Sequence, residues 1–397
     1  MGTHRSATPE ETLARLEALL PALGITRLAN ITGLDCIGIP VYMACRPNSR
    51  SLAVFQGKGI EPAAAKVSAA MEAVETFHAE SIDLPLKLAS YEELRYTHAV
   101  ADIARLPFSR DGLFDPMQPI LWIEGEDLLS GIEKWLPFEL VHANYTLPSL
   151  TGSGSFAATT NGLASGNHIL EALCHALYEV IERDAVTLWR LAGEDHQRAR
   201  RLDAATIDDP ACRQLLEQLM TAGIDVVVWD VTSDIGVPTY LCLIAGRSEA
   251  TGAPEFGAGS HLCRDIALAR ALTEAAQART TYIAGSREDI TAAHYASEAR
   301  EQRFATAREI VEEQAPGLPF DQAPTYEFDG FEHDLDAVLS ALAAVGIEEV
   351  LAVDLTKPNL RIPVVRVVVP GLEGALDGPD ADYVPGLRAM RLLESRP

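Results

Sequence analysis

The chain has 397 residues, 48% of them hydrophobic and 22% charged, with 57 acidic against 32 basic side chains and a formal net charge of −25. That length admits one large α/β body or two sub-domains, and the acidity argues against nonspecific nucleic-acid binding. No apolar run reaches the roughly 20 residues of a membrane helix, residues 1–12 lack a signal-peptide core, and the six cysteines form no CxxC pair, so a cytoplasmic protein without zinc ribbon or disulfide framework is expected.

In chain order, the first helix is expected at 10–20, with Thr8 as its cap ahead of Pro9. Strands follow at 37–44 and 51–55 around an Arg46-Pro-Asn-Ser turn, and Gly57-Lys58-Gly59 reads as a turn leading into a helix at 62–80. Segment 81–119 has no strong period and carries Leu84-Pro and Leu106-Pro, so it reads as a loop-rich insertion and as the place for the apolar surface of a homodimer. Strands at 119–123 and 135–141, the small-residue stretch 151–156 and Thr159-Thr-Asn-Gly162 then precede a second long helix from Gly166. Helices at 214–222, 264–283, 305–313 and 335–345 and strands at 225–229, 239–244, 349–353 and 364–369 complete one mixed α/β body over 1–397. The repeated strand, turn and acidic helix points to internal duplication.

Two helices carry the chemistry. At 100° per residue, Ser68, Glu72 and Glu75 share a face of the first, and Asn167, Glu171, Glu179 and Glu182 share a face of the second, opposite Leu170, Leu173, Leu177, Val180 and Ile181. A solvated polar face is one reading of such a pattern; the other is a hard divalent cation, which takes carboxylate and phosphate oxygens together. Glu179 and Glu182 at i, i+3 can reach one Mg2+, and Arg183 can neutralise a phosphate or a carboxylate. Lys58 is placed to face a phosphate ahead of a helix N-terminus, although Gly57-Lys-Gly alone is more simply a turn. Glu274 and Gln277 repeat the pairing on a third helix, whereas Arg279 points elsewhere and reads as structural. His168 and His175 lack a third soft ligand and read as surface or packed histidines, and Cys174, on the apolar face, reads as a small buried side chain.

In this order and at these spacings the motifs resemble the YcaO family over nearly the whole chain. The S-x-x-x-E-x-x-E block matches Ser68, Glu72 and Glu75, ten residues after Lys58; N-x-x-x-E with E-x-x-E-R matches Asn167, Glu171, Glu179, Glu182 and Arg183. Arg5 and Thr12 resemble the family's N-terminal nucleotide contacts, and E-A-x-Q-x-R followed by G-S-R-E-D matches Glu274, Gln277, Arg279, Gly285 and Arg287. The resemblance implies a fold of sheets flanked by acidic helices around an ATP and Mg2+ site, with Glu72, Glu75, Glu179 and Glu182 as metal ligands. Arg5, Thr12, Lys58, Ser68, Asn167, Glu171, Glu274, Gln277 and Arg287 would contact the nucleotide, and Glu75, Glu182 and Arg183 would serve catalysis.

It further implies O-phosphorylation of a peptide backbone amide, after which a nucleophile adds at carbon. Segments Gly24 to Val41 and Val364 to Glu373 resemble the subgroup that works with a TfuA-like partner, for which the implied product is a thioamide made with a sulfide source on a ribosomal peptide or protein. Thr76 stands where the family commonly has Arg, the chain ends in Leu392-Leu-Glu-Ser-Arg-Pro397 in place of a P-x-P-x-P tail, and no fused leader-binding domain is expected. An azoline-forming cyclodehydratase and a non-catalytic ATP-binding partner are the alternative readings.

Overall fold

In a computed structural model of the chain, residues 4–148, 150, 152–248, 254–376 and 382–395 are described. Thr151, which opens the small-residue stretch, and the terminal Arg396 and Pro397 lie outside them. The strands are β1 (Arg27–Asn30), β2 (Val41–Cys45), β3 (Val54–Lys58), β4 (Leu86–Ala89), β5 (Ile120–Asp127), β6 (Ile132–Pro137), β7 (Leu163–Ser165), β8 (Ile224–Asp230), β9 (Thr239–Gly246), β10 (Glu255–Ser260), β11 (Leu351–Asp354) and β12 (Val364–Val368). The helices are α1 (Pro9–Glu17), α2 (Pro62–Glu80), α3 (Tyr91–Leu94), α4 (Ile169–Ala192), α5 (Glu194–Ala199), α6 (Pro210–Thr221), α7 (Arg264–Ala284), α8 (Ser297–Glu312), α9 (Phe331–Ala344) and α10 (Leu387–Glu394). No helix among the described residues is long and apolar enough to cross a membrane.

Two compact units share these elements. The first comprises Met1–Ala73, Gly193–Thr232 and Gly236–Glu327; the second comprises Val74–Ala192, Ser233–Ile235 and Phe328–Pro397. In the first unit, α1 starts where its cap predicts: the Glu11 amide donates to the Thr8 hydroxyl at 3.2 Å and the Glu11 carboxylate accepts from the Thr8 amide at 2.9 Å, a closed capping box. Its two sheets, β1-β2-β3 and β10-β9-β8, are antiparallel throughout. All eight residues of β9 are buried, and Leu215, Leu219, Leu268, Leu272, Tyr240 and Phe320 fill the core that α6 and α7 close over β8 to β10.

The glycines of Gly57-Lys58-Gly59 have a different job from the turn expected of them, because Gly57 and Lys58 are the last two residues of β3. A Cβ on Gly57 would stand 1.9 Å from the Ala69 amide nitrogen and 2.5 Å from the Ala65 carbonyl oxygen, so the strand and the α2 backbone touch only because the side chain is missing. Gly257 in β10 repeats the device against α7, 2.2 Å from the Ala275 nitrogen and 2.4 Å from the Ala271 oxygen. Gly57→Ala is therefore expected to destabilise by about 1–3 kcal/mol through overpacking against rigid backbone. Gly33→Ala, where an added Cβ meets nothing within 4 Å, is the control, and equal melting temperatures for the two variants would refute the account.

In the second unit every strand pairing is again antiparallel, with β5 joined to β4, β6 and β11, and β12 lying between β11 and β7. Residues 81–119 hold β4, which pairs with β5 in register Leu86 to Ile123, and α3, which Ser90 caps through the Glu93 amide. Helix α4 packs on β7 and β12, with α9 and α10 against it. Its apolar spacing predicted one buried face; the structure also buries part of the acidic one, with Glu171 0% and Glu182 3% exposed and Asn167 and Glu179 half-buried.

Candidate functional site

In the first unit, Gln56 of β3 is held through its backbone: its amide donates to the Glu72 carboxylate at 3.1 Å, and its carbonyl accepts from the Gln277 side-chain amide at 3.1 Å. Lys58, at the strand's end, forms an ion pair with Glu274 of α7. Burial pushes the Glu72 carboxyl up to about 6, against the pull of Arg287 and Lys58. Glu72, Lys58, Glu274, Gln277 and Arg287, read from three separate motifs, are thus one electrostatic group. Arg287 is also fixed by Asp289, at 2.9 and 2.5 Å. Arg279 makes a buried pair with Asp35 at 2.8 and 3.1 Å, the structural role its position on the helix suggested.

Ser68 is half-buried on the stretch of α2 that meets Gly57. Thr12 is buried on α1, and its hydroxyl donates to the Thr8 carbonyl at 3.0 Å, a bond that contact with a nucleotide would have to replace. Arg5 is exposed and belongs to a basic cluster that sequence reasoning missed. Burial, with Arg270, His4 and Arg5 around it, drives the His261 imidazole down to about 3, so this ring is neutral. Arg270 had one signal in the sequence, its place one helical turn before Glu274 on α7.

In the second unit, Glu75 is the acceptor at the end of β7: the Ser165 amide and hydroxyl both donate to its Oε1, at 2.9 and 2.7 Å. Ser165 leads through Gly166 into Asn167, whose side-chain amide donates to Glu171 at 3.4 Å as α4 begins. Glu182 and Glu171 are buried on that helix and Glu179 and Arg183 half-buried. Thr76, 4% exposed, lies on a buried side of α2.

Of the remaining candidates, His168 is exposed, His175 half-buried and Cys174 buried. The His168 ring accepts from the Leu170 amide at 3.3 Å as a helix cap, and the Cys174 thiol, 1% exposed, is pushed up to about 12 by burial and by Asp334 and Glu171.

Among the described residues no three of His, Cys, Asp and Glu are grouped tightly enough to hold a metal ion by themselves. The donor chemistry nevertheless suits Mg2+, which takes oxygen ligands and usually completes its shell with substrate phosphates and water. The acidic groups supply only hard oxygens, and Lys58, Arg287, Arg270 and Arg5 supply cations suited to phosphate.

The comparisons agree with this chemistry. The YcaO cyclodehydratase family, described as ATP- and Mg2+-binding, matches residues 56–373. A protein encoded in the tfuA 3' region of Rhizobium leguminosarum bv. trifolii is 36% identical over 400 residues, covering 98% of this chain and 93% of that one. A protein of Methanothermobacter thermautotrophicus is 36% identical over 380 residues, covering 93% of this chain and 95% of its own. Among solved structures, a heterocyclase in complex with substrate and cofactor superposes with a TM-score of 0.77 at 25% identity over 94% of this chain, which spans only 53% of that one. YcaO from Methanopyrus kandleri bound with AMPPCP and Mg2+ shares the fold, with a TM-score of 0.73 at 23% identity over 97% of this chain and 98% of that one. A family match across four-fifths of the sequence and relatives at this identity over nearly its whole length place the chain in the YcaO family, whose members are ATP-dependent peptide-modifying enzymes.

Proposed function

We propose that the protein uses ATP and Mg2+ to activate a peptide backbone amide for thioamide formation, together with a TfuA-like partner and a sulfide source. The observation that carries the reading is the likeness, over 98% of the chain, to a protein encoded beside tfuA. Glu72 and Glu75 on α2, with Glu179 and Glu182 on α4, are the proposed metal ligands, and Asn167, Glu171, Ser68, Lys58, Glu274, Gln277, Arg287, Arg5 and Thr12 the proposed nucleotide contacts. Bound ATP with Mg2+ would supply the phosphoryl group and neutralise its charge. The chain's own contribution is positional: Ser165 fixes the Glu75 carboxylate, Gln56 fixes Glu72 and Gln277, and the packing of α4 holds the Glu171 and Glu182 side chains away from bulk water. Arg183, next to Glu182, is the proposed cation for the phosphoryl oxygens.

In the reaction, the amide oxygen takes the phosphoryl group, sulfide adds at the amide carbon, and phosphate leaves with the original oxygen. The product has exchanged one oxygen for one sulfur. Exposed Leu88, Tyr96, Leu113 and Met117 on segment 81–119 offer apolar area to a partner or a second copy. The test supplies the protein, ATP, Mg2+, sulfide, the neighbouring TfuA-like protein and the peptide encoded nearby. Mass spectrometry is expected to show oxygen-for-sulfur exchange, lost in Glu182→Ala.

The structural likeness to a heterocyclase favours one further reading, azoline formation from a Cys, Ser or Thr side chain. A product lighter by one water, formed without sulfide, would select it, and ATP turnover that ignores the peptide would defeat both.

A further inference from the structure

Strand β12 reads Val-Val-Arg-Val-Val, and every residue in it is buried. The arginine, Arg366, sits between Leu163 of β7 and Val353 of β11 and is 2% exposed. A guanidinium carries five N–H groups, and leaving them unpaired in the interior is costly. One nitrogen, Nη2, donates to the Thr159 carbonyl at 2.7 Å. Nε and Nη1 are buried with no hydrogen-bond partner among the described residues.

The charged and polar groups that bear on Arg366 are few. Tyr145 and Glu179 favour its charge, while Arg366 in turn disfavours charge on His142, whose ring burial already holds below its ordinary value. Burial holds His142 and Tyr145 toward their neutral forms, and among the described residues Glu179 is the carboxylate that acts on the arginine. If Glu179 serves as a metal ligand, its charge is committed to the cation. The buried guanidinium then keeps two nitrogens, Nε and Nη1, without an oxygen acceptor among the described residues.

Resting on the nucleotide reading above, we propose that Arg366 donates its open N–H groups to a terminal phosphoryl oxygen of the nucleotide whose metal Glu179 holds. The arginine is thus a phosphate-binding residue outside every motif by which the site was read. A charge in the middle of a valine strand, otherwise unfavourable to folding, is retained for a ligand.

Arg366→Met and Arg366→Lys, each against wild type, test this by calorimetry with a β,γ-methylene ATP analogue plus Mg2+ and, separately, with AMP. Arg366→Met is expected to bind the analogue at least about tenfold more weakly, the equivalent of one charge-assisted hydrogen bond. AMP affinity should stay within about twofold, and Arg366→Lys should fall between. Without ligand, Arg366→Met should melt no lower than wild type, since it removes a desolvated charge.

Analogue affinity equal to wild type in both variants overturns the inference alone, as does an equal loss for AMP or a defect confined to the KM for peptide. A lowered melting temperature with unchanged affinity marks a merely structural arginine and overturns it too. Wild type that binds neither nucleotide overturns the nucleotide reading itself.

Discussion

Glu75→Gln is expected to lower ATP-dependent turnover by roughly 10^3-fold and to abolish stabilisation by Mg2+ and nucleotide together, while the unliganded protein melts within about 2 °C of wild type. The glutamine oxygen can still accept from the Ser165 amide and hydroxyl, which in the native protein meet at Glu75 Oε1, so the local fold is kept. What disappears is a negative charge. A metal ligand depends on that charge, whereas a capping acceptor does not. Wild type at a ligand concentration about 100-fold above Kd should gain about 2.7 kcal/mol of stability, and the variant almost none. Thermal denaturation with and without Mg2+ and nucleotide reads both quantities. A variant that gains as much as wild type would reduce Glu75 to a cap for Ser165.

The second large effect concerns stability alone. Asp184, fully buried two residues beyond Glu182, accepts from the Arg388 side chain at 3.0 Å and from the Glu373 amide at 2.9 Å, and Arg388 also pairs with Asp234. Glu373 is buried as well: it accepts from the Gly386 and Ala389 amides, each at 2.8 Å, which caps α10 from outside the helix, and from the Tyr383 hydroxyl at 2.7 Å. Arg388→Met leaves Asp184 in the interior without its cation. The expected cost is about 3 kcal/mol at pH 8.

The sign with pH follows from burial, which pushes Asp184 up to about 6 even with Arg388 present. An unfolded aspartate titrates near 3.9, so between the two values the folded state holds a proton that the unfolded chain has released. This group's contribution to stability therefore falls as pH rises through that window and stays lost above it. Without Arg388 the folded value climbs further, so the variant should lie close to wild type near pH 5 and fall away steadily toward pH 8. Melting curves across that range check it, and a difference that does not change with pH would refute the burial argument.

Much of the candidate site could be read in the chain because helices write their faces into spacing. The i, i+4, i+7 pattern of Ser68, Glu72 and Glu75 and the runs from Asn167 to Glu182 need only 3.6 residues per turn to align. The bounds of α2 and α7 follow from the same periodicity, and the Thr8 cap from the chemistry of its hydroxyl beside Pro9 and Glu11. Short elements were less legible: β1 and β10 are four and six residues long and carry too few apolar positions to stand out, and α10 begins at a glycine whose cap comes from Glu373.

The sequence by itself determined which residue types stand at helical spacing, and with them the hard-oxygen and cationic character of a nucleotide and metal chemistry. Only the tertiary structure decided which of those groups lose their water. It buries Glu171 and Glu182 on the acidic face of α4, turns Gly57 from a turn residue into a contact surface for α2, joins Lys58 to Glu274, and leaves Arg366 with open donors inside a valine strand. The reason is that burial and electrostatic pairing depend on elements distant in sequence, whereas periodicity is local, so a carboxylate's spacing can be read from the chain but its desolvation cannot.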